Sequence, residues 1–187
     1  FKSMIQRIGD LQTWQTEEAR RLVRISLANY FAGALLMPYR RFLDDAKKLK
    51  YDIEHLGRRY GTSFEQVCHR LTTLNRPGER GVPFFFIRVD KAGNVSKRFS
   101  AGRFHFSRFG GTCPLWNVHD TFAYTGRIVT QIIQMPDETT YFSVARTVTR
   151  VGAVYGQPDQ QLGLSLHIRL VTLRLQRLLD LAERRQH

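Results

Sequence analysis

Residues 75–83 (NRPGERGVP) and 84–90 (FFFIRVD) mark the place where the chain changes from helix to strand. The first stretch contains two prolines and two glycines, which is the composition of a linker. The second is a short aromatic and β-branched run, typical of a buried strand. Residues 91–94 (KAGN) then supply a hairpin turn before the strand-like run 95–101 (VSKRFSA). We therefore expect a helical part before this region and a mainly antiparallel β part after it.

Capping signals predict several helices in the part that precedes the linker. Thr16 is followed by two glutamates, which favour a helix start, and Pro38 ends that helix. A shorter helix follows, and another ends where Gly61 suits a left-handed C-cap. Ser63 and Gln66 have the spacing of a capping box, so one more helix begins there.

The part that follows the linker contains two further strand patterns. Residues 127–135 and 139–149 are rich in β-branched and aromatic residues, and Pro136-Asp137-Glu138 joins them. A short helix is predicted after Pro114, and the leucine-rich stretch 166–185 predicts a final helix. Helices followed by antiparallel strands define an α+β fold.

Three regions follow from these patterns. The helical subdomain covers residues 1–80, an α/β subdomain covers 81–160 and a C-terminal helical tail covers 161–187.

The charge balance points to a polyanionic partner. The 187 residues include 29 Lys and Arg against 16 Asp and Glu, a net charge of +13. Nucleic acid, a phosphorylated ligand or an anionic membrane would suit this surplus. Two cysteines, Cys68 and Cys113, are too few for a disulfide scaffold, and no apolar run is long enough to span a membrane. We expect a cytoplasmic protein without a signal peptide, and a piece of a longer chain, because residue 1 is phenylalanine.

Enzyme motifs give little support for catalysis. The sequence has no HExxH, no serine nucleophile elbow, no P-loop and no GxGxxG. Cys113 could act as a nucleophile with His119 as its base, although a small buried cysteine beside a turn is the commoner case. We predict no catalytic residue, no metal ligand and no enzyme activity.

A DNA-contacting module is the alternative. Residues 52–74 followed by a hairpin have the outline of a winged helix, which would read bases with Gln66, His69 and Arg70. The wing would carry Lys91, Lys97 and Arg98. Capping explains Gln66 equally well, and solvated charges explain the rest.

Several stretches resemble known families. LANYFAGALLMPY (27–39) resembles a helix of the ImmA/IrrE group, but Ser26 and Leu27 stand where a peptidase of that group would need an acidic ligand. Residues 51–98 and 105–118 (HFSRFGGTCPLWNV) are similar to the short-chain fatty-acyl-responsive transcription regulators of actinobacteria. The likeness extends over roughly residues 17–160.

This resemblance implies the ligand-sensing region of a helix-turn-helix regulator. Family members bind coenzyme A (CoA) or a short acyl-CoA such as propionyl-CoA, and they control propionate, methylcitrate-cycle or glyoxylate-cycle genes. Ligand binding would shift the conformation that the DNA-binding domain experiences. The family's helix-turn-helix and its cysteine-rich iron–sulfur segment are absent here, so we expect no cofactor in this chain. Promoter DNA would be contacted by the full-length protein, which we expect to be a homo-oligomer.

The same resemblance implies the ligand-binding residues. Arg40 and His119 match positions that contact the ligand, although the family more often has Tyr where His119 stands. Tyr39, Phe106 and Trp116 are expected in the pocket wall.

Overall fold

The computed structural model describes residues 16–100, 115–135, 137–150 and 159–170. The chain divides into two compact units, Phe1–Arg70 and Leu71–His187. The first is helical and the second is built on an antiparallel sheet, so the predicted α+β class is confirmed. The divide falls near the end of the last long helix, upstream of the predicted linker.

Among the described residues, four helices lie in the first unit, and the last of them extends just past its end. They are α1 (Glu17–Leu36), α2 (Tyr39–Lys48), α3 (Ile53–Tyr60) and α4 (Phe64–Thr72). The predicted caps are present: Thr16 Oγ1 accepts from the Ala19 amide, and Gly61 has a φ of 60°. Ser63 and Gln66 close the capping box, since each side chain accepts from the other's amide at 3.2 and 2.8 Å. None of the described helices is long and apolar enough to cross a membrane.

The core of the helical unit lies on α2, α3 and α4. Phe42, Leu56 and Val67 are fully buried there. Asp45 is buried beside them, and its Oδ2 accepts hydrogen bonds from Tyr60 Oη at 2.6 Å and Arg59 Nε at 2.8 Å. The bond from Tyr60 is the main cause of the lowered pKa of Asp45, and Arg59 adds to it against the opposing effect of burial. The carboxylate thus ties α2 to α3.

In the part of the second unit that the structure describes, the strands form a five-stranded sheet. In chain order its strands are β1 (Phe84–Asp90), β2 (Val95–Ser100), β3 (Ile128–Gln134), β4 (Thr140–Arg150) and β5 (Gln160–Arg169). The spatial order is β2-β1-β5-β4-β3, with every pairing antiparallel. A short helix, α5 (Asn117–Asp120), precedes β3. Both predicted hairpins, β1–β2 and β3–β4, are confirmed.

Helix α5 packs on one face of this sheet. Val118 of α5 belongs to a buried cluster with Ile87, Val89 and Ala145. Gly163 of β5 lies under the helix, and a Cβ placed there would be 2.9 Å from Val118 Cγ2. The helix can therefore approach this closely only because residue 163 has no side chain.

The predicted helical tail is wrong over residues 161–169, which belong to strand β5. Its leucines, Leu162, Leu164 and Leu166, alternate with Gly163, Ser165 and His167, so the pattern has a period of two. Both sets are buried, and β5 is the central strand of the sheet. The rest of the predicted tail, residues 171–187, lies outside the described residues.

Candidate ligand-binding site

A side chain of strand β3 forms hydrogen bonds with the backbone on both sides of Trp116. The amide of Gln131 donates from Nε2 to the Leu115 carbonyl and accepts at Oε1 from the Asn117 amide, both at 2.9 Å. These two bonds lie on either side of Trp116, which is half-buried. The backbone that carries the indole is therefore fixed before any ligand arrives.

Helix α5 is fixed to the sheet at both of its ends. At the first, Asn117 donates from Nδ2 to the Val129 carbonyl at 3.0 Å and accepts at Oδ1 from Ser143 Oγ at 2.8 Å. At the other, Thr147 Oγ1 donates to Thr121 Oγ1 at 2.8 Å. Because these residues are buried, each bond replaces hydration that the group has lost.

His119 lies on α5 beside the β1–β2 turn. A Cβ placed on Gly93 would be 3.5 Å from His119 Cε1, which puts the imidazole against the turn backbone. Asp90 orders that turn by accepting from the amides of Ala92 and Asn94, each at 2.9 Å. The side-chain bond from Asn94 is the largest cause of the lowered pKa of Asp90. His119 is thus held between a pinned helix and an ordered turn.

Tyr39 and Arg40 begin helix α2 in the helical unit. Arg40 is exposed, whereas Tyr39 is half-buried with the guanidinium of Arg70 5.8 Å from its ring centroid. Arg70 lies at the same distance from the Tyr30 ring and donates from Nε to the Met37 carbonyl at 2.9 Å. Arg70 of α4 therefore supports the start of α2 through these contacts.

The predicted site residues fall into two pairs. Tyr39 and Arg40 are sequence neighbours in one unit, and Trp116 and His119 share the α5 corner of the other. Phe106 lies outside the described residues.

The proposed DNA-reading face is wrong at Arg70. This side chain is only 4% exposed and is engaged by Met37 and two tyrosine rings, so it is not available to a base edge. Gln66 is occupied by the capping box. His69 Nε2 lies 3.7 Å from Glu65 Oε1 and is partly buried. In the hairpin, Lys91 and Arg98 are exposed and Lys97 is partly buried.

Neither metal binding nor thiol chemistry has support among the described residues. In that part of the chain, no three His, Cys, Asp or Glu side chains are grouped so that they could hold a metal ion. Burial raises the pKa of the Cys68 thiol, which disfavours the reactive thiolate. Cys113 lies outside the described residues.

One set of residues was missed by sequence reasoning. Asn117, Ser143, Ser165 and His167 are buried and connected through hydrogen bonds. The sequence signal for this set is the pair Ser165 and His167 in the otherwise apolar run LGLSLHI (162–168). Residues two apart in a strand lie on the same face, so this spacing suits a strand with polar contacts on one face.

Two family models divide the chain at almost the same place as the structure. Residues 9–72 match the IrrE N-terminal-like domain, and residues 73–175 match the C-terminal region of the short-chain fatty acyl coenzyme A regulators. The chain belongs to the family of short-chain fatty acyl coenzyme A regulators, because that model covers more than half of it. The resemblance predicted from sequence is confirmed.

Curated relatives are transcription regulators by name. The chain is 59% identical over 149 residues to the HTH-type transcriptional regulator PrpR of Mycobacterium tuberculosis, covering 80% of this chain and 31% of that protein. It is 52% identical over 157 residues to the propionyl-CoA carboxylase regulator of Cereibacter sphaeroides, covering 84% and 34%. A solved Mycobacterium tuberculosis transcriptional regulator matches 89% of this chain and 51% of its own, with 54% identity and a TM-score of 0.82. The chain thus spans about a third of the length of these curated relatives.

Proposed function

We propose that this chain is the acyl-CoA-sensing region of a helix-turn-helix regulator of short-chain fatty acid genes. The observation that carries the proposal is the match of residues 73–175 to the C-terminal region of a regulator family that is named after short-chain fatty acyl coenzyme A. The α5 corner, with Trp116 and His119, lies inside that match. The name of the propionyl-CoA carboxylase regulator favours genes of propionate metabolism, and we propose propionate, methylcitrate-cycle or glyoxylate-cycle genes as the targets.

The chemistry of CoA suits the residues predicted to bind it. CoA carries several phosphate charges, and the exposed guanidinium of Arg40 can pair with phosphate oxygens through two parallel hydrogen bonds. The indole of Trp116 offers a flat apolar surface on a fixed backbone, and Tyr39 and Phe106 are the other aromatic residues that the resemblance predicts to contact the ligand. His119 can donate to or accept from an amide.

Sensing requires binding without chemistry. We propose that the ligand leaves unchanged, that the chain is not an enzyme, and that it needs no metal or other cofactor. An acyl-CoA that binds one conformation more tightly shifts the population toward that conformation. In the whole protein, which we propose to be a homo-oligomer, a helix-turn-helix outside this chain would bind promoter DNA and respond to the shift.

Calorimetry of this chain with propionyl-CoA and with CoA tests the proposal. We expect saturable binding, with both ligands recovered intact by chromatography. Absence of binding at millimolar ligand would overturn the proposal, and release of free propionate would indicate a thioesterase instead. A mobility-shift assay with promoter duplex at physiological salt should give no shift. A shift that weakens steeply with salt would support the winged-helix alternative.

A further inference from the structure

A line of hydrogen bonds joins helix α5 to the two strands β4 and β5 under the α5 corner. Ser143 Oγ of β4 donates to Asn117 Oδ1, and it lies 3.0 Å from Ser165 Oγ of β5. Ser165 Oγ in turn lies 2.9 Å from His167 Nε2. All four residues are at most 2% exposed, so water does not compete for these bonds.

The bonds in this line must all run in one direction. The Asn117 Nδ2 group already donates to Val129, so Oδ1 takes the only hydroxyl proton of Ser143. Ser143 Oγ can then meet Ser165 only as an acceptor, which uses the proton of Ser165. Ser165 is left to accept from His167, so Nε2 of the imidazole carries a proton. Burial, which lowers the pKa of His167 to about 3, favours the neutral ring, in which this is the only ring proton.

The line returns to Trp116 through the imidazole. The His167 ring stacks on Phe85 of β1, with centroids 4.3 Å apart and planes inclined by 6°. Its centroid also lies 5.5 Å from that of Trp116, with a tilt of 55°. Trp116 is thus held through its backbone neighbour Asn117 at one end of the line and through its ring at the other.

We propose that Asn117, Ser143, Ser165 and His167 form a one-way hydrogen-bond chain that positions Trp116 for ligand binding. These are positioning residues, since they act through the indole. The link to ligand binding rests on the proposed function, whereas the orientation of Trp116 can be measured without ligand.

The position of these residues in the sheet supports a geometric role. Ser143 and Ser165 each pair with a residue of the neighbouring strand, and Ala145, opposite Ser165, shows that a small apolar side chain fits this face. Burying a hydroxyl group costs stability unless it is paired, and in this line each serine hydroxyl both donates and accepts, which gives the line one defined geometry. The line therefore specifies where the corner and the imidazole stand relative to each other.

A matched pair of substitutions separates positioning from stability. Ser143→Ala removes a hydroxyl of the line, and Thr147→Val removes the hydroxyl that pins the opposite end of α5 from the same strand and face. Both are made in a Trp14→Phe background, so Trp116 is the only tryptophan. We expect similar losses in melting temperature. Only Ser143→Ala should lower the fluorescence anisotropy of Trp116 and weaken its near-ultraviolet circular dichroism.

Nuclear magnetic resonance provides an independent readout. Nitrogen-15 shifts of His167 should report a neutral ring protonated at Nε2 in the wild type, and Ser143→Ala should perturb them while Thr147→Val leaves them unchanged. A proton on Nδ1 in the wild type, or equal effects of both substitutions, would overturn the proposal. If Ser143→Ala does not melt cooperatively, Ser165→Ala replaces it in both measurements.

Ligand affinity then tests the functional link. Calorimetry with propionyl-CoA should show affinity about fivefold to tenfold weaker for Ser143→Ala and within about twofold of wild type for Thr147→Val. Equal affinities would show that the line does not act on ligand binding. If the wild type binds neither propionyl-CoA nor CoA, the proposed function fails, and the ligand-free measurements still decide whether the line orients Trp116.

Discussion

Arg70 donates from Nε to the main-chain carbonyl of Met37 at 2.9 Å, across 33 positions of sequence. Met37 caps the C-terminal end of α1, where carbonyl groups lack partners within the helix and a cation is favoured. The bond ties α4 to the corner from which Tyr39 and Arg40 begin α2. Arg70, which the winged-helix alternative assigns to reading DNA, therefore supports the helix start that carries Tyr39 and Arg40, two residues predicted to contact the ligand.

Replacing Arg70 should destabilise the helical unit. Arg70→Met leaves the Met37 carbonyl without this donor and removes the cation from between two tyrosine rings, so we expect a loss of about 2–4 kcal/mol. Urea denaturation followed by circular dichroism measures the free energy of unfolding. Arg58→Met, at an exposed position, should stay within about 0.5 kcal/mol of wild type. Equal effects of both changes would contradict the role of Arg70.

Gly163 should not tolerate a methyl group. In Gly163→Ala the new Cβ would lie 2.9 Å from Val118 Cγ2 and 3.1 Å from the Phe122 ring, forcing α5 off the sheet. We expect a loss of about 1–3 kcal/mol by thermal or chemical unfolding. Gly33→Ala is the control, because nothing lies within 4 Å of its Cβ and alanine favours a helix interior by up to about 1 kcal/mol. A neutral Gly163→Ala would mean that α5 does not pack this closely.

Asp45 should make the free energy of unfolding depend on pH in the acidic range. Hydrogen bonds from Tyr60 and Arg59 hold its pKa below the ordinary value of 3.8, so the unfolded chain binds a proton more readily. The stabilisation is present above pH 4 and is lost as the pH falls through the folded-state pKa. Denaturation at a series of pH values should show a shallower acid decline for Asp45→Asn, and an unchanged slope would refute this assignment.

Tyr60 should lower the free energy of unfolding as the pH rises through the alkaline range. Burial and the bond to Asp45 raise its pKa to about 12, so the folded state favours the neutral phenol. Stability is complete below pH 10 and declines between pH 10 and about 12, because the unfolded chain loses the proton first. Tyr60→Phe should remove that part of the decline in pH-dependent denaturation. A Tyr60→Phe curve parallel to wild type across this range would show that another group is responsible.

Arg40 should matter for ligand affinity and its neighbour should not. Arg40→Gln removes the charge predicted to meet a phosphate, so we expect propionyl-CoA affinity to fall at least about tenfold. Arg41→Gln removes an adjacent exposed arginine and should change affinity less than about twofold. Calorimetry measures both, and matching melting temperatures exclude a folding effect. Equal losses of affinity in both variants would show that Arg40 contributes only through general charge attraction.

Local signals account for the parts of the fold that the sequence predicted. The Thr16 cap, the Ser63–Gln66 box and the Gly61 C-cap depend on residues within a few positions of one another. Strand β5 was misassigned because the helix prediction followed the leucines of the stretch 166–185, whereas Leu162, Leu164 and Leu166 have the period of two that suits a strand. Pairing with β1 on one side and β4 on the other makes β5 the central strand.

The sequence predicts single residues of the candidate site. Arg40 and His119 match ligand-contacting positions by resemblance and Trp116 lies in a quoted motif, and their ligand contacts stay predictions. The line from Asn117 to His167 depends on the register of β4 and β5, which places Ser143 opposite His167. Arg70 was misread because its burial depends on Met37 and the tyrosines Tyr30 and Tyr39, which sequence periodicity does not bring together.

A crystal structure of this chain with propionyl-CoA tests the assignment of the ligand most directly. We predict electron density for the ligand in contact with Trp116 and His119. Density that contacts neither of these residues, or a crystal grown at saturating propionyl-CoA that contains no ligand, would contradict the proposed site.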